Sequence, residues 1–284
     1  MRVFRLILLL ALCAVAAAGV KAWHDTMADP VVRRAIITSA QLPPGTPPVT
    51  LLLLSDIHVA GPDMPPSRLA RIVSQANALE PDIVLVAGDL VSDKAFATHI
   101  YSTQETIAPL AKLAPRLAKL AVAGNHDHWR GADEVTERLR QAGFTVLAND
   151  AVQVGPLAIG GEDDDFTRHA DIGATMRAFA PLAGPRILFS HSPEHDQRFP
   201  PEIALVLAGH THCGQILYPW GGSPSSTFGY GSSKFACGLQ RLNGTLRVTT
   251  AGLGTSVLPV RFLAVPDMWL ITIQPAAAGA SGKR

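Results

Sequence analysis

The chain has 284 residues, 48% of them hydrophobic and 17% charged, with a net charge of +1. That is enough for one large domain with a substantial core. Beyond Arg33-Arg34 there is no dense basic patch, so electrostatics do not favour a nucleic-acid partner. Three cysteines are too few for a disulfide framework, although Cys213 and Cys237 could pair in an oxidising compartment.

Arg2 and Arg5 precede an uncharged run from Leu6 to Val20, closed by Lys21. The run is long for a signal-peptide core and short for a bilayer span. Adding Val3 and Phe4, with the flanking cations snorkelling, makes it long enough to cross. An uncleaved anchor and a cleaved signal peptide both remain open. Residues 1–22 are therefore read as an anchor or signal segment, and 23–48 as a linker with an edge strand at Ala35–Thr38. The segment Leu42-Pro-Pro-Gly-Thr-Pro-Pro48 cannot be helix and breaks any ladder.

Val49–Ser55, Asp82–Ala87 and Leu117–Ala123 read as buried strands. Ser67–Leu79, Thr103–Leu113 and Ala132–Ala142 read as helices, the last with Asp133 and Glu134 in its first turn and Gly143 as its stop. Strand and helix alternate, which predicts an α/β layered domain. Phe144–Leu147, Leu157–Gly160, Arg186–Phe189 and Ile203–Ala208 are short apolar runs. Leu246–Thr250 and Met268–Ile273 alternate by two. Gly214–Gly238 is a long stretch of Gly, Ser, Pro and aromatics, and loops of that length are usually functional or mobile. The main domain is placed at 49–274, and 275–284 is expected to be a disordered tail.

Polar clusters follow five of the apolar runs. They are Asp56-Ile57-His58, Gly88-Asp89, Gly124-Asn125-His126-Asp127, His191 and Gly209-His210-Thr211-His212. Alone, a strand-end Asp or Asn is more often a turn or cap residue, and a lone His more often a hydrogen-bonded surface group. Seven such side chains in order at strand ends point to a shared metal site, because ligands gather at the carboxyl ends of strands in open α/β sheets. Two metals about 3.5–4 Å apart need a ligand that touches both, and a carboxylate can; Asp89 is the candidate. Mixed oxygen and imidazole donors suit Mn, Fe or Zn. His128, His169 and His195 lack such support and read as surface residues or supports of the site. Glu162–Asp165, a run of four acids, reads as a solvated loop. Tyr218, Trp220, Phe228 and Tyr230 fit core packing and a substrate rim equally well.

Together these motifs resemble the calcineurin-like metallophosphoesterase superfamily, over roughly residues 35–275, and within it a bacterial membrane-associated branch. Cys213 departs from that branch, which commonly has Gly there before Gly214-Gln215. Gly252-Leu-Gly254-Thr-Ser256 and Pro259-Val-Arg261 also resemble the branch's later segments. The resemblance implies a four-layer α/β/β/α sandwich holding two divalent transition metals. Asp56, His58 and His212 would share one metal with Asp89, and Asn125, His191 and His210 would hold the other. It implies hydrolysis of a phosphodiester or pyrophosphate by a metal-activated water, with His126 facing the substrate and Asp127 tuning it. A lipid-linked or sugar-nucleotide substrate fits the branch, whose enzymes include one acting on UDP-diacylglucosamine. A phosphomonoesterase, a protein phosphatase or a non-catalytic metal scaffold are the competing readings. The expected place is a bacterial inner membrane with a single N-terminal anchor. The short basic N-terminus leans towards a periplasmic domain.

Overall fold

The computed structural model describes residues 1–193, 199–224, 237–242 and 244–276. Helix α1 (Arg2–Met27) runs past the apolar stretch and leaves no linker at residue 23. A Lys21–Asp25 pair one turn apart and a bond from Thr26 Oγ1 to the Ala22 carbonyl support its last turns. Those turns enter the domain: Asp25 accepts from the Leu263 backbone N–H, and Thr26 Oγ1 from that of Arg261. Strand β1 (Val31–Ser39) follows directly and is an edge strand, longer than the run Ala35–Thr38 suggested.

The first sheet has the order β1-β14-β2-β4-β6-β7, with β2 at Val49–Leu54, β4 at Ile83–Ala87, β6 at Ala118–Val122, β7 at Thr145–Val146 and β14 at Asp267–Pro275. The chain's last strand inserts between β1 and β2, parallel to the former and antiparallel to the latter. The second sheet has the order β12-β13-β11-β10-β9-β8. Its strands are β8 (Asp150–Val154), β9 (Leu157–Gly161), β10 (Arg186–Phe189), β11 (Ile203–Ala208), β12 (Gly238–Leu242) and β13 (Thr245–Thr249). Two short strands, β3 (Ala60–Gly61) and β5 (His99–Ile100), pair by themselves.

The layers follow from strand alternation, since successive side chains face opposite ways. Leu51, Leu53, Ile83, Leu85 and Leu120 meet Ile159, Ile187, Phe189, Leu205 and Val248 between the sheets. Leu52, Leu54, Val84 and Val86 instead pack with Leu69, Ile72 and Val73 of helix α2 (Pro66–Asn77), and with Val135 and Leu139 of helix α4 (Asn125–Gln141). Helix α3 (Thr103–Ile107), opened by a Ser102–Glu105 capping box, adds Ile107 to that side. Helix α5 (Ile172–Phe179), which the sequence reading missed, covers the outer face of the second sheet with Phe179. The α/β/β/α layering expected above is what the chain adopts.

Helix α4 starts seven residues earlier than expected. Gly131, at φ 112, kinks it, so the helical pattern after residue 131 hides a first segment that begins inside the motif. The expected tail began at 275, but Pro275 closes β14; its residues 277–284, residues 225–236 of the Gly214–Gly238 stretch with Phe228 and Tyr230, and His195 lie outside the described residues.

Candidate metal centre

All seven predicted side chains converge where the strand ends of the two sheets meet. β2 delivers Asp56 and His58, β4 delivers Asp89, and the turn after β6 delivers Asn125. From the second sheet, His191 follows β10 and His210 and His212 follow β11. Asp56, His58, Asp89, His210 and His212 all have φ between 47° and 67°. A left-handed backbone is costly for such residues and clusters at functional sites. Each turn aims a side chain back across its strand end.

The turns fit because glycine leaves room. A Cβ on Gly124 would stand 2.3 Å from Asp89 Oδ1, and one on Gly209 would stand 2.0 Å from Ser55 Oγ and 2.3 Å from Asp56 Oδ2. The Gly beside Asn125 and the Gly before His210 are thus demanded by close approach.

Two donor groups share one oxygen. His58 Nε2 lies 3.4 Å from Asp89 Oδ2 and 3.2 Å from His212 Nε2, which is itself 3.4 Å from Asp56 Oδ1. On the other side His191 Nε2 lies 3.1 Å from the same Asp89 Oδ2, 3.0 Å from Asn125 Oδ1 and 3.1 Å from His210 Nδ1. His191 Nδ1 faces the Ala87 carbonyl at 2.9 Å, which orients the ring. Asp56, His58, Asp89, Asn125 and His191 are buried almost completely.

Burial, reinforced by neighbouring positive groups, keeps His58 and His212 well below the ordinary imidazole range. The same causes, with His191 as the neighbour, bring His210 down to about 4. Neutral imidazole is the metal-ligating form. Burial opposes charge on Asp89, but His191 and His58 outweigh it and hold the carboxyl well below its usual range. Burial likewise opposes charge on His191, yet Asp89 raises that ring to about 10. The neutral rings of His58, His210 and His212 and the carboxylates aim lone pairs into one buried volume, and a cation there would take the place of the proton that Asp89 holds on His191, so the group is a donor set for cations.

His126 stands at the lip of this volume. Its backbone N–H donates to Asp89 Oδ1 at 2.9 Å, and its Nε2 lies 4.0 Å from Asp89 Oδ2. Its ring Nδ1 pairs with Asp93, a residue the sequence reading did not single out. Asp127 is not that partner. Its carboxylate accepts from the backbone N–H groups of Leu90, Val91 and Gly124, so it fixes the turns around the site rather than the His126 ring. The acidic run is not a solvated loop either. Glu162 and Asp164 are buried, Asp164 accepts from Thr167, and Asp163 binds His128, which stacks on His169.

Arg261, fully buried, donates to the carbonyls of Ala251 (2.7 Å) and Gly254, and its guanidinium lies 3.4 Å from His212 Nδ1. Its backbone is the one bonded to the end of α1. Cys213, next to His212, forms a disulfide with Cys237 and closes the Gly214–Gly238 stretch into a loop. Within that stretch Tyr218 stacks on Trp220, whose side chain is 81% exposed. The Gln215 side chain accepts from Ser256 N–H and donates to the Leu258 carbonyl, joining this rim to residues 256–263.

Fold and donor set together define a layered α/β protein with clustered donor groups at the strand ends that could hold metal ions. The chain belongs to the calcineurin-like phosphoesterase family, whose profile matches residues 49–214. A transmembrane protein with metallophosphoesterase domain from Danio rerio is 31% identical, over 94% of this chain and 62% of its own length. An uncharacterized metallophosphoesterase from Aquifex aeolicus (strain VF5) is 30% identical, over 86% of this chain and 91% of its own. Phosphodiesterase YaeI from Escherichia coli (strain K12) is 27% identical, over 80% of this chain and 82% of its own. Among solved structures, a 5'-nucleotidase precursor from Thermus thermophilus aligns over 79% of this chain and 55% of its own, with a TM-score of 0.46 and 15% identity.

Proposed function

We propose that this chain is a two-metal phosphoesterase that hydrolyses a phosphodiester or pyrophosphate at a membrane surface. The observation that carries the reading is Asp89 Oδ2, which lies within 3.4 Å of His58 on one side and 3.1 Å of His191 on the other. Asp56, His58 and His212 would hold one cation with Asp89, and Asn125, His191 and His210 the other with the same carboxylate. The donor chemistry favours Mn, Fe or Zn. When bound, two such cations supply a nucleophile at neutral pH and stabilise charge on the phosphoryl oxygens.

The protein's own groups do the rest. His126 is partly exposed, with Nδ1 held by Asp93 and Nε2 towards the centre. As an imidazolium it presents Nε2–H to the leaving oxygen and gives up that proton as the ester bond breaks. Asp93 fixes the ring's orientation and stabilises its charge. Asp127 keeps Gly124 and the Leu90–Val91 turn in register beneath it.

The α1 helix is apolar enough to cross a membrane, with a mean hydropathy of 2.5 over its best window and none of that window buried. We read it as the anchor. Its last turn is bonded to residues 261 and 263, so the 256–263 segment and the Trp220 rim lie within a few helical turns of the bilayer. This supports a lipid-linked substrate whose apolar part meets Tyr218, Trp220 and Leu258. The Cys213–Cys237 disulfide supports an oxidising compartment and hence a domain outside the cytoplasm. That location disfavours UDP-diacylglucosamine, which would require a cytoplasmic-facing site.

The test measures metal content of the purified full chain, together with turnover of an aryl phosphodiester, an aryl phosphomonoester and matched acylated and deacylated diesters. Two transition metals per chain, and faster turnover of the diester than the monoester, are expected. A metal-free protein without turnover would sink the enzyme reading. Equal kcat/KM for acylated and deacylated substrates would sink the lipid reading alone.

A further inference from the structure

Beside His126 and His210, two large rings stand in the open. Trp129 is 55% exposed and Phe166 is 53% exposed. Trp129 lies one turn after His126 on α4, and its ring centroid is 4.8 Å from the His126 ring. Phe166 lies 6.1 Å from Trp129 at 74° and 5.1 Å from His210. The four rings form a continuous arc from the proposed proton donor to a proposed metal-holding histidine of the other sheet.

Neither ring is on a loose segment. The start of α4 is tied by Arg130 Nη1 to the Ser92 carbonyl at 2.6 Å. The Phe166 loop is tied by Asp164 to Thr167, by the His169 N–H to the Asp164 carbonyl at 2.9 Å, and by Asp163 to His128. Two rings held in place with their faces in water cost hydration free energy that folding alone does not require. Edge-to-face, they make a corner: a third flat ring can stack on one wall while meeting the edge of the other.

We propose that the Trp129–Phe166 corner is a subsite for a flat, uncharged ring carried by the leaving group, either an aryl group or a nucleobase. The inference rests on the hydrolase reading above. Trp129 adjoins His126, the group assigned to the leaving oxygen, so what the corner holds departs with that oxygen. An anionic ring is disfavoured, because Asp93 and Asp163 place carboxylates on the histidines flanking Trp129.

The experiment uses the full chain in detergent with its bound metals and two pairs of methyl phosphodiesters. One pair has phenyl and hexafluoroisopropyl leaving groups of similar acidity. The other has thymidine and its abasic analogue. The expected result is a ring preference in kcat/KM of about tenfold in at least one pair. Trp129→Ala and Phe166→Ala should each bring it within about twofold, while metal content is unchanged and Trp129→Phe restores most of it. The pair that responds names the source of the ring. Binding of methyl 4-nitrobenzylphosphonate, whose C–P bond does not hydrolyse, decides the matter without turnover. Native protein should show Trp quenching that Trp129→Phe lacks and an affinity that Phe166→Ala weakens about tenfold. Normal turnover with no ring preference, or phosphonate binding indifferent to both variants, overturns the subsite and leaves the hydrolase reading standing. No turnover of any diester, with phosphonate binding intact, would overturn the hydrolase reading and leave the ring site.

Discussion

The floor and the rim of the centre are built on opposite principles. The floor is a set of buried donors on strand ends, each fixed by backbone turns and by contact with the next. The rim is made of rings with little burial, the pair Trp129 and Phe166 and the pair Tyr218 and Trp220, carried by loops and a helix start. On the function proposed above, the floor would decide what reaction runs, and the rim on what. Damage to the floor should therefore cost every substrate alike, whereas damage to the rim should show only between substrates.

The largest effect is expected from Asp89→Ala, which deletes the oxygen common to both donor groups. Turnover should fall by about 10⁴-fold or more for every ester tested. Metal content should drop to one ion or none. Full two-metal occupancy in this variant would show that the floor does not depend on a shared carboxylate.

His126→Ala lies between floor and rim. It should keep both metals and lose about 10²–10⁴-fold in turnover, less for esters with good leaving groups. Asp93→Asn should lose about tenfold, and less for esters with good leaving groups, because it acts through the His126 ring. A loss that is independent of leaving-group acidity would leave His126 a stabiliser of charge rather than a proton donor.

The same division explains what could be read from the sequence. The convergence of the floor was legible because Asp56, His58, Asp89, Asn125, His191, His210 and His212 each closely follow a buried strand and so announce themselves by position. The layered fold was legible for the same reason, through the apolar runs of β2, β4, β6, β10 and β11. What escaped depends on tertiary distance. Asp93 meets His126 only because the turn after β4 folds over the start of α4. Phe166 and the acids before it lie in a polar stretch that looks solvated until His128 and the β9 end are brought against it. Trp129 would have been visible had the helix been started at Asn125, but Gly131 breaks the periodicity. The entry of α1 into the domain was invisible because it rests on bonds across more than 230 residues.

The disulfide asks whether floor and rim are independent. Replacing both Cys213 and Cys237 by Ser should lower stability by about 3 kcal/mol, the usual worth of closing a loop of this size. Metal content should stay at two, because the strand ends rather than the bridge hold His212. Reduction of the native protein with a phosphine should give the same result without substitution. Loss of the metal held by His58 and His212 on reduction would show that the rim loop braces the floor.

The smallest effect is expected at His128, which ties the Phe166 loop to α4. Its hydrogen bond to Asp163 raises the His128 ring above its ordinary value, against the pull of burial. Burial works to raise the Asp163 carboxyl, but the bonds from His128 and the Asp164 N–H outweigh it and hold it low. The signs then set a window. The histidine's contribution is complete below its unfolded value, about 6.5, and is lost as pH rises through its raised folded value. The aspartate's is complete above about 3.9 and is lost as pH falls through its depressed one. The pair is therefore worth most between about pH 4 and 6.5. Because both groups are partly exposed, the worth is below about 1 kcal/mol. His128→Gln should lower Tm by about 1–3 °C at pH 5.5 and by less at pH 9, where a neutral ring still donates but without charge. Its metal content and its turnover of ring-free esters should match the native protein. The ring preference should weaken, because the Phe166 wall is no longer held. A Tm deficit that grows with pH would reverse the sign of the pair, and loss of metal would place His128 in the floor.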